Sequence, residues 1–190
     1  MKIVGLLLAA GSATRFGSDK LRHALPHGVP IAVQAARTLR AELPEVIVVV
    51  RERGAAAAFE EEGCRVAVCE NADEGMGASL ACAARAAGPQ EGYLVALADM
   101  PFVRRSSIAA VRAALEKGAA IAAPYFRARR GHPVALAGRF YEQLIKLKGD
   151  EGARRVLAEN EPALVKIPVG DPGVIRDIDR PEDLAPPVRV

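Results

Sequence analysis

The chain opens with a short apolar run that stops abruptly in a loop of small residues. Ile3-Val4-Gly5-Leu6-Leu7-Leu8 leads into Ala9-Ala10-Gly11-Ser12-Ala13-Thr14-Arg15-Phe16-Gly17-Ser18-Asp19-Lys20. A run this short and unbroken reads as a strand buried on both faces, as in a parallel sheet covered by helices. Small side chains let backbone N–H groups approach a ligand closely, and Arg15 and Lys20 complement phosphate charge. A strand emptying into such a loop is the usual nucleotide position of an open α/β sheet. The two best-defined phosphate patterns are missing: there is no Gly-x-Gly-x-x-Gly and no P-loop Gly-Lys-Ser/Thr. The loop alone leaves nucleotide binding and a plain strand–turn equally open.

The same rhythm continues along the chain. Apolar runs at 46–50, 65–68, 93–98 and 120–124 predict strands. They alternate with helical patterns at 31–43, 55–62, 77–87 and 106–117, the last with Ser106 or Ser107 as N-cap. Alternation of this kind predicts a mostly parallel, Rossmann-like sheet with helices on both faces. With 190 residues, 51% apolar and 26% charged, the chain can bury one sizeable core, so one three-layer α/β/α domain over 1–190 is expected. After Pro124 the pattern loosens. Extended segments are expected at 125–130 and 133–137 around Gly131, helices at 139–147 and 151–159, and strands at 163–167 and 174–176. Gly170-Asp171-Pro172-Gly173 is turn chemistry.

Composition removes several functions. Aromatic residues are only 4%, without Trp, so a single-strand nucleic-acid binder lacks its stacking platforms. A net charge of +3 is too mild to argue for nucleic acid and suits a small anionic ligand. Cys64, Cys69 and Cys82 are odd in number and show no Cys-x-x-Cys spacing, so they read as reduced thiols. No apolar stretch approaches the roughly 20 residues of a membrane span, and the first run is too short for a signal peptide. A cytoplasmic protein with neither nucleic-acid nor membrane partner is expected.

Five constellations carry chemistry. Asp99, in Leu97-Ala98-Asp99-Met100-Pro101, follows a buried strand, where ligands of such sheets bind; read alone it is a turn carboxylate. Asp177-Ile178-Asp179-Arg180-Pro181-Glu182-Asp183 follows another expected strand, with Asp179 also suited to cap a helix starting near Pro181. Carboxylates from the two segments meeting above a sheet would form a hard oxygen site for Mg²⁺. In Asn71-Ala72-Asp73-Glu74-Gly75-Met76-Gly77-Ala78-Ser79-Leu80, Gly75, Gly77 and Ser79 leave room for a flat ligand at a helix start. Arg130-Gly131-His132-Pro133 offers a cation and an imidazole, and Asp150 in Gly149-Asp150-Glu151-Gly152-Ala153-Arg154 suits a helix start. Glu52 after the second strand would fit a dehydrogenase ribose site, but the accompanying glycine fingerprint is missing.

Taken in order, these segments resemble the MobA-like nucleoside-triphosphate transferases, nearest the molybdenum-cofactor cytidylyltransferase branch, over nearly the whole chain. The resemblance rests on the first loop, the Glu74–Leu80 stretch, Ala98-Asp99-Met100-Pro101, Arg130-Gly131-His132-Pro133, Gly149-Asp150-Glu151-Gly152-Ala153-Arg154 and the terminal acidic cluster. It implies a nucleotide-diphospho-sugar-transferase-like fold and transfer of a nucleoside monophosphate from an NTP to a phosphate-bearing acceptor, with pyrophosphate released. CTP and molybdopterin are the implied substrates, Mg²⁺ the cofactor, and a molybdenum hydroxylase or its chaperone the partner. The implied catalytic residues are Lys20, Arg15 and Asp99, and the implied metal ligands Asp99 and Asp179. Nucleotide contacts fall on Leu8, Ala9, Ala10, Gly11, Ser12, Arg15, Lys20, Gly75 and Ser79; acceptor contacts fall on Arg130, His132 and Asp150. Ala98 stands where relatives often carry glycine, and Ala10 resembles cytidine-selecting members. Another phosphorylated acceptor (sugar, polyol or phospholactate) and a non-catalytic cofactor-insertion protein are the competing readings.

Overall fold

The computed structural model describes residues 1–11 and 20–184. The first strand, β1 (Ile3–Leu8), has all six residues buried. Alternate side chains leave a strand on opposite faces. Val4, Leu6 and Leu8 accordingly join one apolar cluster, and Ile3 and Leu7 the other. Gly5 lies on the second face. A Cβ there would stand 3.0 Å from the side chains of Leu39, Leu43 and Val46, so its absence lets the helix α1 (Ile31–Arg40) and its following turn pack close.

The remaining strands are β2 (Val46–Val50), β3 (Arg65–Val68), β4 (Gly92–Leu97), β5 (Ile121–Phe126), β6 (Arg129–Arg130), β7 (Val134–Ala137) and β8 (Leu164–Pro168). They form one sheet in the order β3-β2-β1-β4-β7-β5-β6, with β8 pairing β5. Pairs β1–β2, β1–β4, β2–β3 and β5–β8 are parallel. Only β7, between β4 and β5, and the short β6 run antiparallel. One face is covered by α1, α2 (Ala57–Glu60) and α4 (Arg105–Glu116), through Ala36, Leu39, Phe59, Ile108, Val111 and Leu115. The other is covered by α3 (Met76–Ala87), α5 (Tyr141–Leu144) and α6 (Arg154–Glu159), through Leu80, Ala84, Leu144, Val156 and Leu157. The expected single α/β domain with a mostly parallel sheet is what forms. No helix among the described residues is long and apolar enough to cross a membrane.

Several expected boundaries are corrected. The helix expected over 31–43 ends at Arg40, because Pro44 disfavours helical geometry at Leu43. Arg40 Nη1 then takes up the Leu43 carbonyl at 2.9 Å. The helix expected over 55–62 is a 3₁₀ turn, Arg53–Ala55, followed by the single turn α2. The helix expected over 139–147 likewise splits into a 3₁₀ turn, Gly138–Phe140, and α5. The helix expected from 151 starts only at Arg154, since Gly149 and Gly152 take φ of +60° and +53°. The strand expected at 174–176 is instead part of a 3₁₀ turn, Pro172–Ile175.

Neither Ser106 nor Ser107 caps α4. The cap comes from a distant turn: Asp171, only 2% exposed, accepts from Arg104 N at 2.8 Å and from Ser107 Oγ at 2.7 Å with one oxygen. Its other oxygen accepts from Gly173 N at 2.9 Å. Asp171 thus fastens the 170–175 turn to α4. Replacing it by alanine orphans three donors and should cost about 2–4 kcal/mol, read from urea unfolding at neutral pH. A loss below about 0.5 kcal/mol would contradict that role.

Candidate active site

Strands β1 and β4 run parallel in the register Leu8↔Leu97, so both end at the same level of the sheet. The residues that follow, Ala9–Gly11 on one side and Ala98–Asp99 on the other, therefore emerge together at the carboxyl edge. They open on a cleft of about 440 Å³. Its lining includes Leu8, Ala10, Gly11, Lys20, Arg51, Gly75, Ser79, Leu97, Asp99 and Asp150.

At one side of this cleft Lys20 joins two carboxylates. Its Nζ lies 3.0 Å from Asp99 Oδ2 and 3.2 Å from Asp179 Oδ1. Asp179 reaches this point because the chain folds back across the end of β4. Ile178 N donates to the Asp99 carbonyl at 2.9 Å, and the Ile178 side chain is buried with Leu25 and Ile31. The expected cap at Asp179 is reversed: Asp183 Oδ2 accepts from Asp179 N at 3.1 Å and Arg180 N at 2.9 Å. Burial raises the Asp99 carboxyl above the usual carboxylate range; Lys20 counteracts this and Asp177 adds repulsion. Burial also works against the Lys20 ammonium, but Asp99 and Asp179 more than offset it and raise its pKa.

The carboxylate oxygens that converge on Lys20 are hard donors facing a cleft. Magnesium commonly takes one or two carboxylates and completes its octahedron with water and substrate phosphate oxygens. Asp99 and Asp179 fit that pattern. Among the described residues no larger group of His, Cys, Asp and Glu is placed to hold a metal by itself.

The opposite wall is the start of α3. Gly75 takes φ +120°, and a Cβ there would lie 2.7 Å from the Gly149 backbone. A Cβ on Gly77 would lie 2.5 Å from the Lys148 carbonyl. Those close approaches are used: Gly77 N donates to Gly149 O at 2.7 Å, and Met76 N to Asp150 Oδ1 at 3.3 Å. Asp150 therefore caps α3 rather than its own neighbouring helix. Ser79 Oγ donates to the Gly75 carbonyl at 3.3 Å. Glu52, weighed from the sequence as a ribose-binding acid, is not in this lining. It is Arg51 that lines the cleft, ion-paired with Asp73 and donating through Nη2 to the Ala10 carbonyl at 3.2 Å. The available signal was its place one residue past the carboxyl end of a parallel strand.

The structure brings together Leu8, Ala10, Gly11, Lys20, Gly75, Ser79, Asp99, Asp150 and, through Lys20, Asp179. Ala9 is not in the lining; its N–H donates to Val49 O at 2.9 Å, continuing the sheet. Ser12 and Arg15 lie outside the described residues. Arg130 is exposed on β6, and neither it nor His132 lines the cleft. Gly131 is pressed against Val174, whose carbonyl oxygen would stand 2.1 Å from a Cβ, and His132 N donates to that same carbonyl.

His132 is half-buried, and its Nδ1 is inaccessible and without a hydrogen-bond partner. Burial pushes its pKa down to about 4, opposed by the Val95 carbonyl and assisted by Arg130 and Arg154. The folded-state value lies below the ordinary 6.5, so the stability contributed by neutral His132 is complete above pH 6.5. It falls away as the pH drops toward about 4. Urea unfolding should show the native protein losing about 2–3 kcal/mol more than His132→Gln between pH 7 and pH 4. Equal losses would show that His132 is not held neutral by the fold.

The chain matches the MobA-like NTP transferase domain over residues 5–164. It is 31% identical to the purine catabolism protein PucB of Bacillus subtilis (strain 168), covering 95% of this chain and 93% of that protein. It is 30% identical to the nicotine blue oxidoreductase of Paenarthrobacter nicotinovorans, covering 96% and 94%. Among solved structures, the manganese complex of Rv0371C from Mycobacterium tuberculosis H37Rv superposes with a TM-score of 0.77 at 23% identity, covering 96% of each chain. A parallel sheet whose carboxyl edge joins a glycine-lined cleft to two carboxylates and a lysine is thus found in a chain that belongs to the MobA-like NTP transferase family.

Proposed function

We propose that this nucleotidyltransferase moves CMP from CTP to the phosphate of molybdopterin. The observation that carries the reading is the meeting of Lys20, Asp99 and Asp179 at the rim of a cleft whose far wall is a helix start. The base lies against the Gly75–Ser79 wall, where backbone groups and the Ser79 hydroxyl are within the cleft, and Arg51 holds the Ala10 carbonyl beneath it. The triphosphate runs along Ala10, Gly11 and Lys20, and Ser12 and Arg15, outside the described residues, are the further phosphate contacts this reading expects. Preference for CTP rests on Ala10 beside Gly11, as in the cytidine-selecting members the chain resembles.

Asp99 and Asp179 would hold Mg²⁺, which supplies charge neutralisation across the phosphates when bound. Lys20 places a compact positive charge at the α-phosphate. A phosphate oxygen of the acceptor forms the new bond to the α-phosphorus. The bond from the α-phosphorus to the β-bridging oxygen breaks, and pyrophosphate leaves with its electron pair. The attacking oxygen is already anionic, so positioning and charge stabilisation carry the rate. Asp150, which lines the cleft, supplies the acceptor side in this reading, and Arg130 and His132, outside its lining, are left without an acceptor contact. A molybdenum hydroxylase or its chaperone is the receiving partner.

The name of the Paenarthrobacter relative implies redox chemistry in that protein. The first loop here carries no dinucleotide glycine fingerprint, which favours nucleotidyl transfer for this chain.

Pyrophosphate release should be measured with CTP, GTP, ATP and UTP, with and without molybdopterin. The expected result is turnover that needs molybdopterin and is fastest with CTP. Asp99→Asn should abolish it while leaving the melting temperature near that of the native protein. Lys20→Ala should lower kcat by about 10²-fold or more, with a smaller change in KM for the nucleotide. Near-normal kcat in either variant would remove the proposed centre, and turnover only with a sugar or polyol phosphate would replace the acceptor.

A further inference from the structure

The Lys20 ammonium stands between the two carboxylates at the same point that those carboxylates offer to a metal. We propose that Lys20 is the resident counter-cation of the nucleotide-free protein, and that a divalent metal binds Asp99 and Asp179 only by displacing it. This rests on the metal-dependent reading above, and extends it to what the lysine does before substrate arrives.

Lys20 reaches both carboxylates at 3.0 and 3.2 Å, and its side chain is only 12% exposed, against 26% for Asp99 and 47% for Asp179. It is held in place rather than trailing in solvent. A divalent metal draws its oxygens in to about 2.0–2.1 Å, and an ammonium and a dication in contact with the same oxygens repel by several times thermal energy. The ammonium and a metal therefore cannot share Asp99 Oδ2 and Asp179 Oδ1, the two oxygens that Lys20 holds. Asp177 adds a third negative charge that acts on Asp99, so removing the ammonium leaves a strongly anionic pocket rather than a neutral one.

Displacement also has a productive consequence. Lys20 lines the nucleotide cleft, and its four-carbon stem lets the ammonium swing without moving the backbone. Metal arriving with the triphosphate would release the lysine into the space where the phosphates lie. One cation replaces another at the carboxylates, and the freed one follows the phosphate charge. The same contact lowers the affinity of the nucleotide-free protein for metal, so metal and nucleotide should bind with positive coupling.

The test is binding of Mn²⁺ alone, without nucleotide, followed by the electron paramagnetic resonance signal of free Mn²⁺ at pH 8. Removing a positively charged residue from the phosphate site is expected to tighten metal binding. Lys20→Met should bind Mn²⁺ about tenfold or more tighter than the native protein. Lys20→Arg retains the charge and should bind no tighter than native. Lys20→Met with affinity equal to or weaker than native, or showing no binding at all, overturns the proposal. Asp99→Asn in both backgrounds separates the two ideas. Loss of Mn²⁺ binding there confirms that these carboxylates hold the metal; Mn²⁺ binding indifferent to Asp99 means that the metal-site reading itself has failed.

Discussion

The site depends on the register of one strand pair. Because Leu8 lies opposite Leu97 in parallel β1 and β4, the small-residue loop and Asp99 leave the sheet side by side. Main-chain bonding continues past the strands, with Ala98 N donating to Leu8 O at 3.1 Å, so the edge is stiff where ligand would meet it. A shift of one residue would turn Asp99 toward a helix layer and carry the buried alternation of β1 with it. The apolar packing on both faces of β1 therefore also aims the carboxylate.

Two later segments complete what the edge begins, and each is fixed by contacts far from the site. Residues 148–150 press against Gly75 and Gly77, where any side chain would collide with backbone, and Asp150 caps α3. The 170–179 segment is fastened by Asp171 to α4, by Val174 O to His132 N, and by Ile178 N to Asp99 O. Its last residue, Asp179, arrives at Lys20 through these anchors. Among the described residues, cleft geometry is thus set by glycine clearances and tertiary caps.

The first half of the chain was readable because its strands are short apolar runs with no competing pattern. The limits of β1, β2 and β3 match the expected 3–8, 46–50 and 65–68. Legibility fell where structure is set across long sequence distances. No local signal told that Asp171 would cap α4 in place of Ser106 or Ser107, or that Asp150 would cap α3. The reversed strand β7 was expected only as an extended segment. Arg51 escaped notice because its role comes from contacts with Ala10 and Asp73, residues on two other segments. The meeting of Asp99 and Asp179 was legible only as two carboxylates each following an expected strand. The expected strand before Asp179 is in fact the Pro172–Ile175 turn, so the convergence came by a different route.

The most direct measurement of the central claim follows the fate of each phosphate. The protein is incubated with molybdopterin and CTP labelled at either the α- or the γ-phosphate, and products are separated. Nucleotidyl transfer at this site predicts α-label in the acceptor product and γ-label solely in pyrophosphate, in equal amounts. Release of the γ-label as inorganic phosphate, or α-label remaining in free CDP or CMP while molybdopterin is unchanged, would contradict the account.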